Sequence, residues 1–170
     1  MKQVKQISGF SLVETLVYIA IFSVLIISIT NFFGTMSASR IRNQLTLEVN
    51  DQGAKVMKTI TQALRNASQV NSPTIGNTGA SLSLVTVAPV TSPTVFSLSN
   101  GTIFVTEGAG VATALTNNKV IANSLVFANL SHPSTPNIVK ISYTLTSSTT
   151  ASGPGGQYSF TFNGSGALRK

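Results

Sequence analysis

The spacing of hydrophobic residues changes along the chain, and it first predicts a membrane-spanning helix near the N-terminus. Residues 16–33 form a predominantly apolar run without a charged residue, proline or glycine. Together with residues 10–15, this run would make about 36 Å of α-helix at 1.5 Å per residue. Because the hydrocarbon core of a bilayer is about 30 Å thick, residues 10–33 are long enough to span it.

A cleaved secretory signal is the main alternative for this segment. Lys2 and Lys5 would form its basic region, and the small, polar residues 35–39 would follow its apolar region. That apolar region would be longer than usual, however, and Glu14 would stand at its entrance. A buried core helix is a weaker alternative for an apolar stretch of this length.

An amphipathic continuation of the same helix is predicted for residues 34–70, where apolar residues recur every three or four positions. The stripe consists of Ile41, Leu45, Val49, Gln52, Val56, Ile60, Ala63 and Ala67. Gly53 costs such a helix about 1 kcal/mol relative to alanine without ending it. Since the first proline after the apolar run is Pro73, one nearly continuous helix is predicted from about residue 10 to about residue 69. We expect its stripe to pack on the C-terminal part of its own chain.

Residues 71–170 alternate short β-branched runs with turn residues, which predicts a small antiparallel β-sheet domain. The predicted strands are Leu82–Val87, Thr94–Ser99, Thr102–Thr106, Val111–Leu115, Val120–Leu130, Ile138–Thr146 and Tyr158–Phe162. The expected fold class is therefore α+β, with a long N-terminal helix packed on a small antiparallel sheet.

One hairpin of this domain is predicted with its register. The dipeptide at residues 100–101 is Asn-Gly, a strong signal for a type I′ turn between two strands. In that register Leu98 lies opposite Ile103, and Phe96 lies opposite Val105. All four side chains fall on one face, so the apolar pattern and the turn agree.

Charged residues are scarce, and few kinds of chemistry remain open to the chain. Eleven basic and four acidic residues give a net charge of +7, and charged residues make up 9% of the chain, against about 25% in a typical soluble domain. The basic residues are scattered and form no stripe that could follow a phosphate backbone, so nucleic-acid binding is unsupported. The chain has no cysteine, which excludes thiol catalysis, cysteine-zinc sites and disulfides. Four carboxylates and one histidine form no catalytic or metal-binding pattern, so we expect no enzyme activity, cofactor or metal.

Glu14 is the single charged residue between Lys5 and Arg40. A carboxylate in a membrane-spanning segment costs on the order of 2.5 kcal/mol or more at mid-membrane depth, so it is normally paired or functional. Cleavage after Gly9 would give Phe10 a free α-amine with a pKa of about 8. Such an amine on an adjacent helix could neutralise Glu14 and define the stagger between the two helices. Alternatively, Glu14 lies near the membrane surface and reaches water.

The N-terminal residues resemble the class III leader of type IV pilins and type II secretion pseudopilins. In that family a short basic leader ends in glycine, the mature chain begins with an aromatic residue such as phenylalanine, and its fifth residue is glutamate. Lys2, Lys5, Gly9, Phe10 and Glu14 match this pattern. The resemblance implies that a prepilin peptidase cuts the Gly9–Phe10 bond and N-methylates Phe10. It also implies that Glu14 contacts the N-terminal amine of a neighbouring subunit during assembly.

The resemblance divides the chain into four parts. These are a leader peptide at residues 1–9, a transmembrane and assembly helix at 10–33, an amphipathic continuation at 34–70 and a β-rich globular domain at 71–170. The implied function is that of a structural subunit of a type IV pilus, or of a type II secretion or DNA-uptake pseudopilus.

The implied partners are other pilin or pseudopilin subunits bound through the N-terminal helix, the prepilin peptidase, an inner-membrane assembly platform and the lipid bilayer. The chain would be a single-pass protein of the bacterial cytoplasmic (inner) membrane with a cytoplasmic N-terminus. In the membrane and in the pilus its β domain would be extracytoplasmic.

Two departures from the family pattern favour a minor pilin or pseudopilin. The absence of cysteine removes the C-terminal disulfide loop of many major pilins, and Asn31 stands where many pilin helices have a proline. Residues 115–120 and 167–169 add a weaker similarity to minor pilin-like subunits. The alternative function is a membrane-anchored surface binding module, an adhesin or a DNA- or glycan-binding protein, that does not polymerise.

Overall fold

The computed structural model describes residues 11–132, 137–149 and 156–169, and within them one long α-helix precedes a series of β-strands. The helix, α1, covers Leu12–Asn66. The strands are β1 (Ala67–Ser72), β2 (Thr78–Gly79), β3 (Leu82–Thr86), β4 (Thr94–Ser99), β5 (Thr102–Glu107), β6 (Thr113–Ala114), β7 (Val120–Asn129), β8 (Ile138–Ser147) and β9 (Ser159–Ala167).

The strands form two antiparallel sheets rather than the single sheet expected. The first sheet has the order β1-β3-β4-β5-β6, and the second has the order β2-β7-β8-β9. The α+β class, with one long N-terminal helix packed against antiparallel sheets, is confirmed. Pairing of neighbouring strands in sequence explains why short loops suffice for most of the connections.

Helix α1 ends at Asn66, three residues before its predicted end. The next six residues pair as β1 with β3, and Ala67 and Val70 point into the core. Apolar residues keep the helical spacing up to Ala67. From that residue on, however, the backbone N–H and C=O groups form hydrogen bonds with β3 instead of continuing the helix. The helix therefore stops where a distant strand offers a better partner.

The predicted hairpin is confirmed in turn and register. Asn100 has φ 48° and Gly101 has φ 72°, and these two positive values are those that a type I′ turn requires. Leu98 lies opposite Ile103, and Phe96 lies opposite Val105. Phe96 and Ile103 are fully buried, so this face of the hairpin contributes to the core.

Strand β9 is longer than the predicted Tyr158–Phe162, since it runs on to Ala167. Its second half contains Gly164 and Gly166. In the structure both glycines face α1, where a Cβ on Gly164 would collide with Met57 and one on Gly166 would collide with Leu64. The two glycines leave room for these side chains where the helix approaches the strand closely.

The core lies between the packed segment of α1, residues 49–64, and the two sheets. The helix contributes its fully buried residues Val49, Val56, Ile60 and Leu64. The sheets contribute mainly Leu82, Leu84, Phe96, Ile103, Phe127, Ile141, Tyr143 and Leu145. The predicted stripe thus enters the core, but its first residue, Ile41, is 41% exposed. The sheets do not reach that far along the helix.

Gly53 is a point of close contact between helix and sheet. Phe162 lies against it so closely that an added Cβ would overlap the ring. Tyr143 donates a hydrogen bond of 2.6 Å to the Gly53 carbonyl oxygen and stacks on Phe162, with 5.2 Å between ring centroids. Burial raises the pKa of Tyr143, so the phenol stays protonated and keeps donating. Glycine at this helix position is explained by tertiary packing.

Candidate assembly site

The first part of α1, residues 11–37, is exposed at every position and is called the bare segment below. Large apolar side chains cover it on all sides; Leu12, Phe22 and Phe33, for example, are 75%, 63% and 61% exposed. By length and composition, α1 can cross a membrane. An apolar surface that surrounds a helix is stable in lipid or against other helices, not in water.

Hydroxyl side chains in the bare segment bond to their own helix. Five of them donate to a backbone carbonyl oxygen three or four residues earlier, at distances of 2.8–2.9 Å. They are Thr15, Ser23, Ser28, Thr30 and Thr35. Such internal bonds keep a hydroxyl satisfied where no water is present, so these residues are compatible with an apolar environment.

Glu14 lies in the first turn of α1, on the exposed surface of the bare segment. The partial positive charge of a helix N-terminus favours a carboxylate at this position. The hydroxyl of Tyr18 donates a 3.1 Å hydrogen bond to Glu14 Oε1. Within residues 11–132, 137–149 and 156–169, no basic group forms an ion pair with Glu14. Its carboxylate is therefore held in place by a neutral donor while it remains accessible from outside the helix.

Tyr18 is a site residue that the sequence analysis did not identify. It lies four residues after Glu14, a spacing that places two side chains on the same face of a helix. This spacing is a signal that the sequence contains. A tyrosine ring also fits an apolar run, however, so the sequence alone does not distinguish Tyr18 from its apolar neighbours.

The other predicted site residues lie outside the described residues. Lys2 and Lys5 of the leader, and Gly9 and Phe10 of the cleavage and methylation site, all belong to residues 1–10. Of the predicted site, the structure thus describes Glu14 and its surroundings. The cleavage site and the methylated residue remain predictions.

A second polar cluster marks the place where α1 enters the β domain. Glu48 Oε1 accepts hydrogen bonds from Asn117 Nδ2 at 2.7 Å and from Gln52 Nε2 at 3.3 Å. Lys119 Nζ lies 3.5 Å from Glu48 Oε2. The hydrogen bond from Asn117, with help from the charge of Lys119, holds the pKa of Glu48 below its usual value. The cluster ties the loop before β7 to the helix, a role that the sequence did not reveal.

A groove of about 470 Å³ lies between the C-terminal end of α1 and the first sheet. Its lining includes the hydroxyl residues Thr59, Thr86, Thr91 and Thr94 and the carboxylate of Glu107. Across the described ranges, no three histidine, aspartate or glutamate side chains come close enough together to hold a metal ion. The groove combines these polar groups with apolar side chains such as Val87, Phe96 and Val105, and Glu107 is the one charged residue among the described residues that line it.

Comparison with known families identifies the N-terminal part of the chain. The family described as "Prokaryotic N-terminal methylation motif" matches residues 4–30, which include the end of the leader and most of the bare segment. A comparison with curated proteins and with solved structures found no match. The chain therefore carries the class III leader motif, followed by a long helix and β-sheets, an arrangement consistent with a pilin-like protein.

Proposed function

We propose that this protein is a structural subunit, a minor pilin or pseudopilin, of a type IV pilus or of a type II secretion or DNA-uptake pseudopilus. The observation that carries the proposal is the bare segment. It couples the methylation motif to a helix that is apolar on all sides, with one carboxylate at its first turn. Helices of this kind need other helices or lipid around them, because they bury no surface on their own domain.

Processing would come first. A prepilin peptidase would remove residues 1–9 by cutting the Gly9–Phe10 bond, and it would methylate the new N-terminus at Phe10. Lys2 and Lys5 would hold the leader on the cytoplasmic side before cleavage. Their removal would take two of the eleven basic residues from the chain.

Before assembly the chain would sit in the cytoplasmic membrane, with residues 10–33 spanning the bilayer and the β domain outside the cytoplasm. The span accounts for the exposed apolar surface of the bare segment, and the β domain has its own core and needs no lipid. The inner-membrane assembly platform would then extract the helix into a fibre.

In the fibre, Glu14 would pair with the N-terminal amine of Phe10 in a neighbouring subunit. The two groups lie four residues apart along the chain, so the pair requires an axial offset between neighbouring helices on the order of one helical turn. Tyr18 supports this role, since its hydrogen bond orients one oxygen of Glu14 and leaves the other available. A pair of this kind in an apolar setting defines register more than it adds stability.

Leader processing is tested with Gly9→Ala in cells that contain an active prepilin peptidase. Wild type should be shortened by nine residues, and its new N-terminus should be methylated phenylalanine by mass spectrometry. Gly9→Ala should stay full-length. Equal lack of processing in wild type and variant would refute the leader assignment.

The pairing mechanism is tested with Glu14→Gln, which keeps the shape of the side chain and removes its charge. We expect normal membrane insertion and processing but loss of incorporation into fibres. Glu48→Gln is the matched control, because Glu48 lies on the same helix outside the bare segment and should incorporate normally. Normal incorporation of Glu14→Gln would contradict the pairing.

The alternative is a membrane-anchored binding module, and the groove beside Glu107 favours it. A cleft that presents hydroxyl groups beside apolar side chains is suited to a ligand with both hydrogen-bonding groups and apolar faces, such as a glycan. The two functions differ at the N-terminus: a plain anchor would retain Met1, whereas a pilin-type subunit would begin at Phe10. N-terminal sequencing of the membrane form decides between them.

A further inference from the structure

Asn31 carries an amide in the apolar run of the bare segment and forms no hydrogen bond there, in contrast to the other polar side chains between residues 15 and 35. Seven uncharged polar side chains lie between residues 15 and 35. Six of them donate a hydrogen bond within the helix: Thr15, Tyr18, Ser23, Ser28, Thr30 and Thr35. The amide of Asn31 is exposed, and among the residues that the structure describes it has no hydrogen-bond partner.

An unpaired amide is expensive in an apolar setting. It carries two N–H donors and a carbonyl acceptor, and burying such a group without partners is unfavourable because its hydrogen bonds to water are lost. While the chain is in the membrane, Asn31 avoids this cost, because it lies near the end of the span at residues 10–33 and can reach headgroup water. When the helix leaves the bilayer for a fibre core, neighbouring helices replace that water.

The position of Asn31 relative to Glu14 shows which neighbour it would face. The two residues are 17 positions apart, which is about 26 Å along the helix axis. At about 100° per residue, the same separation turns the two side chains roughly 100° apart around the axis. Glu14 and Asn31 therefore point to different neighbours, at opposite ends of the apolar run.

We propose that Asn31 is a second register contact of the fibre, in which its amide hydrogen-bonds to the bare segment of a second copy of this chain. This inference rests on the proposed function, because it needs the bare segments to lie side by side. The matching groups on the second copy are its serine and threonine hydroxyls. Five of them use their proton on their own backbone, but the oxygen keeps a lone pair that can accept from the amide. Copies staggered along the fibre cannot place two Asn31 side chains opposite each other, so the amide meets a hydroxyl.

The test compares three full-length variants, expressed with the native peptidase and assembly machinery. Asn31→Leu removes the amide at similar size, and Asn31→Gln retains an amide on a longer stem. Thr30→Val is the matched control at the adjacent position, because the Thr30 hydroxyl donates to its own helix, to the Ile26 carbonyl. Measured hydrogen bonds between membrane helices average about 0.6 kcal/mol and reach about 2 kcal/mol. We therefore expect Asn31→Leu to lower incorporation into fibres by about three- to thirtyfold, with normal leader processing. Thr30→Val should remain within about twofold of wild type, and Asn31→Gln should recover part of the loss.

A cross-linking measurement tests the contact itself. The chain has no cysteine, so a single introduced cysteine with a photoreactive label reports contacts of that one position. Thr35→Cys lies on the Asn31 side of the helix, and Phe33→Cys lies on the opposite side. Changing Asn31 to leucine should reduce cross-links to a second copy from position 35 and leave those from position 33 unchanged.

The possible outcomes distinguish failure of the Asn31 contact from failure of the proposed function on which it rests. A wild-type chain that is neither processed nor incorporated would overturn the proposed function, and the Asn31 contact with it. A wild type that is processed and incorporated, beside an Asn31→Leu that incorporates equally well, would overturn the Asn31 contact alone. Equal losses of incorporation in Asn31→Leu and Thr30→Val would also overturn it, because removing the amide would then have no greater effect than removing a neighbouring hydroxyl.

Discussion

The two ends of helix α1 use the same backbone conformation for opposite purposes. The packed segment, residues 49–64, buries an apolar stripe against the sheets and keeps charged residues such as Lys55 and Lys58 in solvent. The bare segment, residues 11–37, is apolar all around and buries nothing within its own chain. The difference shows that the first part of the helix takes its partners from other molecules, whereas the second takes them from its own domain.

The same kinds of residue consequently have different roles in the two segments. Each segment contains a glycine and at least one isoleucine, and each forms a hydrogen bond with a tyrosine hydroxyl. Each also has a glutamate: Glu14 lies in the bare segment, and Glu48 lies one residue before the packed segment. Matched substitutions in the two places therefore test the comparison directly. In each pair below, the packed-side variant should change the stability of the β domain, and the bare-side variant should not.

The largest difference is expected for isoleucine. Ile60 is fully buried and Ile27 is 62% exposed. Ile60→Ala should lower the free energy of unfolding of the β domain by about 2–5 kcal/mol, because it removes buried atoms and leaves a cavity. Ile27→Ala should leave it unchanged. The measurement is thermal unfolding of the detergent-solubilised chain, followed by the circular dichroism of the sheets; equal destabilisation by both variants would break the comparison.

Glycine to alanine should act with opposite sign in the two segments. At Gly53 an added Cβ would overlap the Phe162 ring, whereas at Gly34 nothing lies within 4 Å. Gly53→Ala should destabilise the domain by about 1–3 kcal/mol, because the ring has to move. Gly34→Ala should strengthen the helix by up to about 1 kcal/mol, because alanine is the better helix former. Chemical denaturation of the sheets and helix content in micelles would measure the two effects, and a neutral Gly53→Ala would show that the close contact is dispensable.

The two tyrosines should separate stability from assembly. Tyr143→Phe removes the hydrogen bond to the Gly53 carbonyl oxygen, which can still accept the N–H bond within the helix, and should cost about 0.5–1.5 kcal/mol of domain stability. Tyr18→Phe removes the hydrogen bond to Glu14 and should leave domain stability unchanged while it lowers fibre incorporation. Unfolding midpoints and fibre content measured on the same two variants would check both statements. Reduced domain stability in Tyr18→Phe would be inconsistent with a bare segment that has no part in the core.

The smallest effect is expected at Glu48 and depends on pH. Its pKa lies below its usual value of 4.5, so the contacts with Asn117 and Lys119 stabilise the fold above that pH. This contribution is lost as the pH falls through the lowered pKa. Because the cluster is largely exposed and screened by solvent, it should amount to less than about 1 kcal/mol. Glu48→Gln should remove the pH dependence between about pH 5 and pH 3, measured as the difference between the unfolding midpoints of wild type and variant; an unchanged difference across that range would contradict the assignment.

Much of the fold follows from local pattern. The hairpin around Asn100 and Gly101 was predicted with its register because the turn and the apolar alternation agree. The end of α1 and the length of β9 were not predicted, because both depend on a partner far away in the chain. The residues after Asn66 pair with β3. The glycines of β9 leave room for side chains of α1.

The candidate site divides in the same way. Glu14 was identified because a lone carboxylate stands out in an apolar run. Tyr18 was missed because its ring fits that run, and Glu48 was missed because its partners, Asn117 and Lys119, are about 70 residues away. The cleavage residues Gly9 and Phe10 are read from the sequence alone.

The sequence by itself determined the order of the parts: a leader motif, an apolar span with one carboxylate, an amphipathic helix and a β-rich domain. Each of these depends on the residue types within a short window, and such windows determine hydrophobicity, helix propensity and turn type. The tertiary structure decided where along α1 the exposed apolar surface ends and packing against the sheets begins. It also divided the strands into two sheets and placed Gly53 against the ring of Phe162. These features depend on which surfaces meet across long separations in sequence, and a local pattern carries no information about that.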